Sequence, residues 1–115
     1  MNSTIDREDI MAGKIKITVI KRLDPASVFG VNIPISPTTG KAFEVCSMFK
    51  EGQEFIAEDG EMPTGFCAWA WHDIYKDLSV LLYGGNFSWV GTGIMYTCCT
   101  DGTRPVTFKL ERLKE

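Results

Sequence analysis

MPTGFCAWAWHDIYKDLSVLLYGG, residues 62–85, holds two of the three tryptophans, the one histidine and the longest helical pattern of the chain. From Phe66 onward, Cys67, Ala70, Trp71, Ile74, Leu78, Leu81 and Leu82 recur at spacings of three and four. Such spacing paints one apolar stripe along an amphipathic helix. Asp73, Lys76, Asp77 and Ser79 fall on the other side. Thr64 is the expected N-cap, because its hydroxyl can accept an orphan amide hydrogen bond one turn on. Gly84-Gly85 is the expected stop, since glycine adopts the left-handed conformation of a C-terminal cap. The pattern predicts one central helix over residues 66–83.

Strand patterns flank this helix. Ile15, Ile17 and Val19 alternate with Lys14, Lys16 and Thr18 in the stretch Lys14 to Arg22, the signature of a half-buried strand. Val106, Phe108 and Leu110 alternate with Thr107, Lys109 and Glu111 in the same way. Residues 54–57, EFIA, read as a second short strand, and residues 94–99 as a strand joined to the last one by the turn Thr100-Asp101-Gly102-Thr103. The alternating strands at opposite ends of the chain are expected to pair. The fold class is therefore α+β, a small, mainly antiparallel sheet packed against one central helix. Residues 1–13 are polar and aperiodic and read as a flexible arm, leaving residues 14–115 as a single domain. Asp24-Pro25 starts a short helical turn, with Asp24 as its cap. The two prolines of residues 33–37, IPISP, argue against helix or central strand, and Ile33 and Ile35 there offer a contact for a partner subunit.

Composition narrows the function classes. A net charge of −3 with scattered charges gives no basic stripe for nucleic acid. No apolar run approaches the roughly 20 residues that cross a bilayer. The N-terminus lacks the apolar core of a secretory signal, so the expected location is cytoplasmic. Four cysteines in such a setting point to free thiols, metal ligands or redox groups rather than a disulfide framework. No C-x-x-C pair is present.

Cys67 falls at the helix start, where unpaired amides and the helix dipole stabilise negative charge. It is the candidate nucleophile if the chain has one. Cys46 lies in a loop, and Cys98 and Cys99 adjoin the hairpin, where strand geometry sends their side chains to opposite faces. Three separate segments thus offer thiols for a metal or an iron–sulfur cluster. The bland alternative is that they are small buried hydrophobes. His72 is no partner for Cys67, since five residues along a helix turn the side chains roughly 140° apart. Trp69 lies off the main stripe. With Trp71, Phe87 and Trp89 it forms a candidate pocket, and core packing is the ordinary alternative for the same cluster. No Ser/His/Asp series, phosphate loop or paired-carboxylate motif stands out.

The stretches KIKITVIKRLDPASVFG, FKEGQEF, GFCAWAW and CCTDGTRPVTFKLER together resemble a family of small prokaryotic proteins frequent in anaerobes. The resemblance covers nearly the whole chain from Lys14 to Arg112. It brings no activity with it. It implies that Cys46, Cys67 and Cys99 belong together, with Cys98 an extra neighbour and Thr100 standing where many relatives have proline.

The leading expectation is a small cytoplasmic homo-oligomer in which Cys46, Cys67 and Cys99 hold an iron–sulfur cluster, or zinc as the alternative, with one position open to Cys98, water or a substrate. Its role would be accessory redox chemistry or electron transfer to a redox partner protein. The second is a non-catalytic binding or assembly module, with Trp69, Trp89 and the loop at residues 34–37 as its interface. The third is a thiol enzyme acting through Cys67.

Overall fold

In the computed structural model, which describes residues 13–113, alternation along the chain becomes a sheet with one wet and one dry face. The elements are β1 (Lys14–Arg22), α1 (Pro25–Phe29), β2 (Glu54–Glu58), α2 (Ala68–Leu82), β3 (Ile94–Cys98) and β4 (Val106–Arg112). The strands form one antiparallel sheet in the order β2-β1-β4-β3. The expected α+β architecture is thus observed, and the first and last strands pair at the centre of the sheet. Most of the proposed N-terminal arm, residues 1–12, lies outside the described residues.

Ile15, Ile17 and Val19 from β1 and Val106, Phe108 and Leu110 from β4 are buried against Ala70, Ile74, Leu78 and Leu81 of α2. The opposite face is charged. Lys16 meets Glu54 at 3.8 Å and Glu111 at 3.7 Å, and Lys109 meets Glu111 at 3.5 Å. The two Lys16 pairs cross strands and the Lys109 pair runs along β4, and such opposite charges suit the solvated face of a one-sided sheet. Register slips by one residue between Val19 and Lys21, so the alternation that buries Val19 leaves Ile20 outside.

The helix begins later than its apolar stripe suggests. Pro63 to Phe66 close a turn, with the Phe66 N–H donating to the Pro63 carbonyl at 3.2 Å. Gly65 supplies the positive φ of 83° that the third position of a type II turn requires. Thr64 is consumed by that turn, and Cys67, in extended conformation, is the N-cap instead. Asp77 is also displaced from its expected solvent side. It is buried, and Lys76 Nζ approaches it at 3.3 Å.

The carboxyl end follows the expected glycine stop. The Gly85 N–H donates to the Val80 carbonyl at 2.8 Å and the Gly84 N–H to the Leu81 carbonyl at 3.1 Å, a Schellman motif. Gly84 has φ 89°, and a Cβ on Gly85 would sit 2.7 Å from Val80 Cγ1. Arg112 completes the cap from β4. Its Nη1 donates to the carbonyls of Leu81 (2.9 Å) and Gly85 (2.8 Å), and its Nη2 to Asn86 Oδ1 (2.8 Å). One side chain thereby adds a second donor to the Leu81 carbonyl, satisfies that of Gly85 beyond the helix, and ties the helix end to the sheet.

In the loop at residues 30–43, Ile35 and Ala42 form an isolated antiparallel bridge, and Ser36 Oγ accepts from the amides of Thr38 and Thr39. Asp24 caps α1 by accepting from the Ala26 N–H at 3.0 Å, as the Asp-Pro pair predicts.

Candidate functional site

Two buried phenylalanines carry cysteine-bearing segments to one place. Phe49 and Phe66 lie 5.0 Å apart, ring centre to ring centre. Each also packs on Phe108 of β4, at 5.2 and 5.6 Å respectively. Cys46 lies just upstream of the first ring and Cys67 directly follows the second. Cys99 follows β3, at the start of the connection to β4. These three cysteines line a single cavity of about 500 Å³ at the amino end of α2, together with Met48, Trp69, Asp101 and Arg104.

Each thiol is held by its backbone. Arg22 Nη1 donates to the Cys46 carbonyl at 3.0 Å, while its backbone N–H and Nε donate to the Glu51 carboxylate at 2.9 and 3.1 Å. Those bonds pin the Cys46 loop to the end of β1. Cys67 accepts the Trp71 N–H on its carbonyl at 2.9 Å, and its sulfur makes no capping hydrogen bond. Cys99 exchanges bonds with Val106: its N–H donates to the Val106 carbonyl at 3.0 Å, and the Val106 N–H donates to its Sγ at 3.3 Å.

The rim is tied to the helix. Asp73 Oδ2 accepts from the Thr100 N–H at 2.7 Å and from its hydroxyl at 3.0 Å, and Trp69 Nε1 donates to the same hydroxyl at 3.2 Å. Thr100 thus provides two donors to Asp73, its amide and its hydroxyl. On the floor of the turn, Asp101 accepts from Thr103 and from Arg104 Nε at 3.1 Å.

The electrostatics follow from these contacts. Burial pushes the Cys99 thiol up, with the Asp101 and Val106 amides opposing it less strongly. For Asp101, burial acts upward but is outweighed by the Thr103 hydroxyl and amide and by Arg104, which leave the carboxyl below its usual range. Glu51 is lowered first by the Arg22 backbone N–H.

Not every proposed site residue comes here. Cys98 is exposed and lines a second groove, with Trp71 and His72, on the outer side of α2. Strand alternation separates it from Cys99, so it is no fourth member of the cavity. The tryptophans do not form one pocket either. Trp69 stands at the cysteine cavity, Trp71 meets Phe66 edge to face and lines the second groove, and Trp89 packs on Phe87 at 5.4 Å. Among the described residues no group of three or more His, Cys, Asp or Glu is close enough to hold a single metal ion.

The contributions of Arg22, Phe49 and Asp73 are invisible to periodicity, since each acts on a segment remote in sequence. Compared with known proteins, the chain matches no family model, no curated protein and no solved structure.

Proposed function

We propose that the cysteine cavity is the seat of an iron–sulfur cluster, with Cys46, Cys67 and Cys99 as its thiolate ligands, and that the protein serves in electron transfer or accessory redox chemistry. The observation that carries this reading is that thiols from three segments remote in sequence line one cavity. A single tetrahedral zinc ion, with zinc–sulfur bonds of about 2.3 Å, needs its sulfurs within about 4 Å of one another. Among the described residues no group of three His, Cys, Asp or Glu side chains is placed to hold one metal ion. A four-iron cluster takes each thiolate on a different iron, so its ligand sulfurs stand farther apart than those around one ion. We put a cluster ahead of zinc on this ground.

Three protein ligands leave one position for an exogenous group, and the polar rim of Thr100 and Arg104 is where that group would sit. We place the protein in the cytoplasm and give it a redox partner protein and a second copy of itself as partners. The test is a Cys67→Ser variant purified without oxygen. Loss of iron, sulfide and visible absorption supports the reading, and unchanged iron in that variant refutes it.

A second reading rests on exposure. Trp69 is 65% exposed and Trp89 71% exposed, unusually wet for tryptophan. Aromatic residues so placed suit a binding or assembly surface. That reading predicts metal-free protein whose association survives chelators.

A further inference from the structure

We propose that β3 is a self-pairing edge, and that two copies of the chain join through it into one continuous eight-stranded antiparallel sheet. This gives a surface to the second copy named above and does not depend on the cluster.

The hydrogen bonds at the two ends of β3 fix which backbone groups face outward. The Arg112 N–H donates to the Gly93 carbonyl at 2.8 Å, and the Cys99 N–H donates to the Val106 carbonyl at 3.0 Å. In an antiparallel ladder such pairs recur every second residue. Gly93, Met95, Thr97 and Cys99 therefore turn toward β4, and Ile94, Tyr96 and Cys98 turn their N–H and C=O groups away from the sheet. β3 is the last strand in the sheet order among the described residues.

The two edges of the sheet differ in how they meet a copy of themselves. On β2, the bonds linking Val19 with Gln53 and Asp59 with Gly13 place the outward groups on Glu54, Ile56 and Glu58 by the same alternation. A two-fold axis at Ile56 would set Glu54 directly opposite Glu58 of the copy, and like charges facing across strands are destabilising. That edge is blunted in the manner of natural edge strands. A two-fold axis at Tyr96 instead sets Tyr96 against Tyr96 and Ile94 against Cys98, with no charge on the strand. Every outward N–H and C=O of Ile94, Tyr96 and Cys98 then finds a partner in the copy.

The flank of the edge is also prepared. Beside β3 runs a groove of about 890 Å³ lined by Trp71, His72, Tyr75, Thr97 and Cys98. Residues 68, 71, 72, 75 and 76 of α2 form a stripe along this groove, adjoining the one that faces the core and sharing Trp71 with it. The two-fold axis brings the grooves of the two copies face to face, closing each with the other's helix.

Light scattering coupled to gel filtration tests the proposal on the full chain. The wild-type protein is expected to have twice the monomer mass. Tyr96→Glu and Tyr96→Lys place like charges on the axis, and each alone is expected to run as a monomer. An equimolar mixture of the two is expected to recover the dimer. Ile56→Glu, on the other edge, is expected to leave the dimer intact. A monomeric wild-type protein overturns both the second-copy partner and this surface. A dimer indifferent to both Tyr96 variants overturns the surface alone. Tyr96 is 48% exposed, so neither change disturbs the core. As a check free of substitutions, the Tyr96 amide is expected to exchange more slowly as protein concentration rises. Exchange independent of concentration also overturns the surface.

Discussion

Replacing Phe49 by alanine should damage the fold and the cysteine cavity together. The side chain is 2% exposed and touches three aromatic rings, those of Phe55, Phe66 and Phe108, with centroids 5.0 to 5.9 Å away. A buried phenylalanine removes roughly 150–200 Å² from water, and at about 25 cal/mol/Å² this is worth about 4–5 kcal/mol. The methyl group kept by alanine returns part of that, while the lost edge-to-face contacts and the residual cavity add to the loss. The net cost is about 4 kcal/mol, within the range of phenylalanine truncations in protein cores. With a urea slope of about 2 kcal/mol/M, the unfolding midpoint should fall by about 2 M. The Cys46 loop loses its plug in the same step. Alkylation of Cys46 in native buffer should therefore quicken in Phe49→Ala, and less so in Phe49→Leu. A midpoint lower by under 0.5 M, or an unchanged alkylation rate, would refute the assignment of Phe49 as the anchor of that loop.

Arg112→Ala removes the donors to the Leu81 and Gly85 carbonyls and to Asn86, and is expected to cost about 2–3 kcal/mol. Arg112→Lys should recover only part of this, because one ammonium cannot span the sites held by the guanidinium fork. Chemical denaturation measures both. Acid should weaken the hairpin beside the cavity. The Asp101 carboxyl is lowered in the folded chain from an ordinary value of 3.8, so its contribution is complete above that value and lost as pH falls through the folded one. An Asp101→Asn variant should accordingly lose less stability than the parent on going from pH 6 to pH 3, as thermal unfolding would record. Cys99 acts at the other end of the scale. Its thiol is raised above 9.0, so its contribution is complete below that value and lost as pH rises through the folded one.

The sheet and helix were legible because their periods differ. Alternation in KIKITV and VTFKLE marks strands, and the three-and-four stripe of Ala70, Ile74, Leu78 and Leu81 marks the helix. The stripe misplaced the helix start because Phe66 and Cys67 are apolar for a different reason. Phe66 closes a turn and enters the core from there, and Cys67, in extended conformation, caps the helix that follows it. The separation of Cys98 from Cys99 followed from strand alternation alone. The separation of Trp69 from Trp71 was latent in the sequence, since two helical residues on is roughly 200° around the axis. Phe49 was not legible, as its loop, residues 41–52, carries no sustained helical or strand period. The same holds for Arg22 and Asp73, whose bonds to Cys46 and Thr100 close only once β1, α2 and the β3–β4 connection are in place.

The most direct test of the account is the iron and sulfide content and visible spectrum of the wild-type protein purified without oxygen. The account predicts brown protein with iron and sulfide in equal amounts, bleached by Cys46→Ser, Cys67→Ser and Cys99→Ser alike and untouched by Cys98→Ser. Colourless protein that cannot be loaded with iron and sulfide would contradict it.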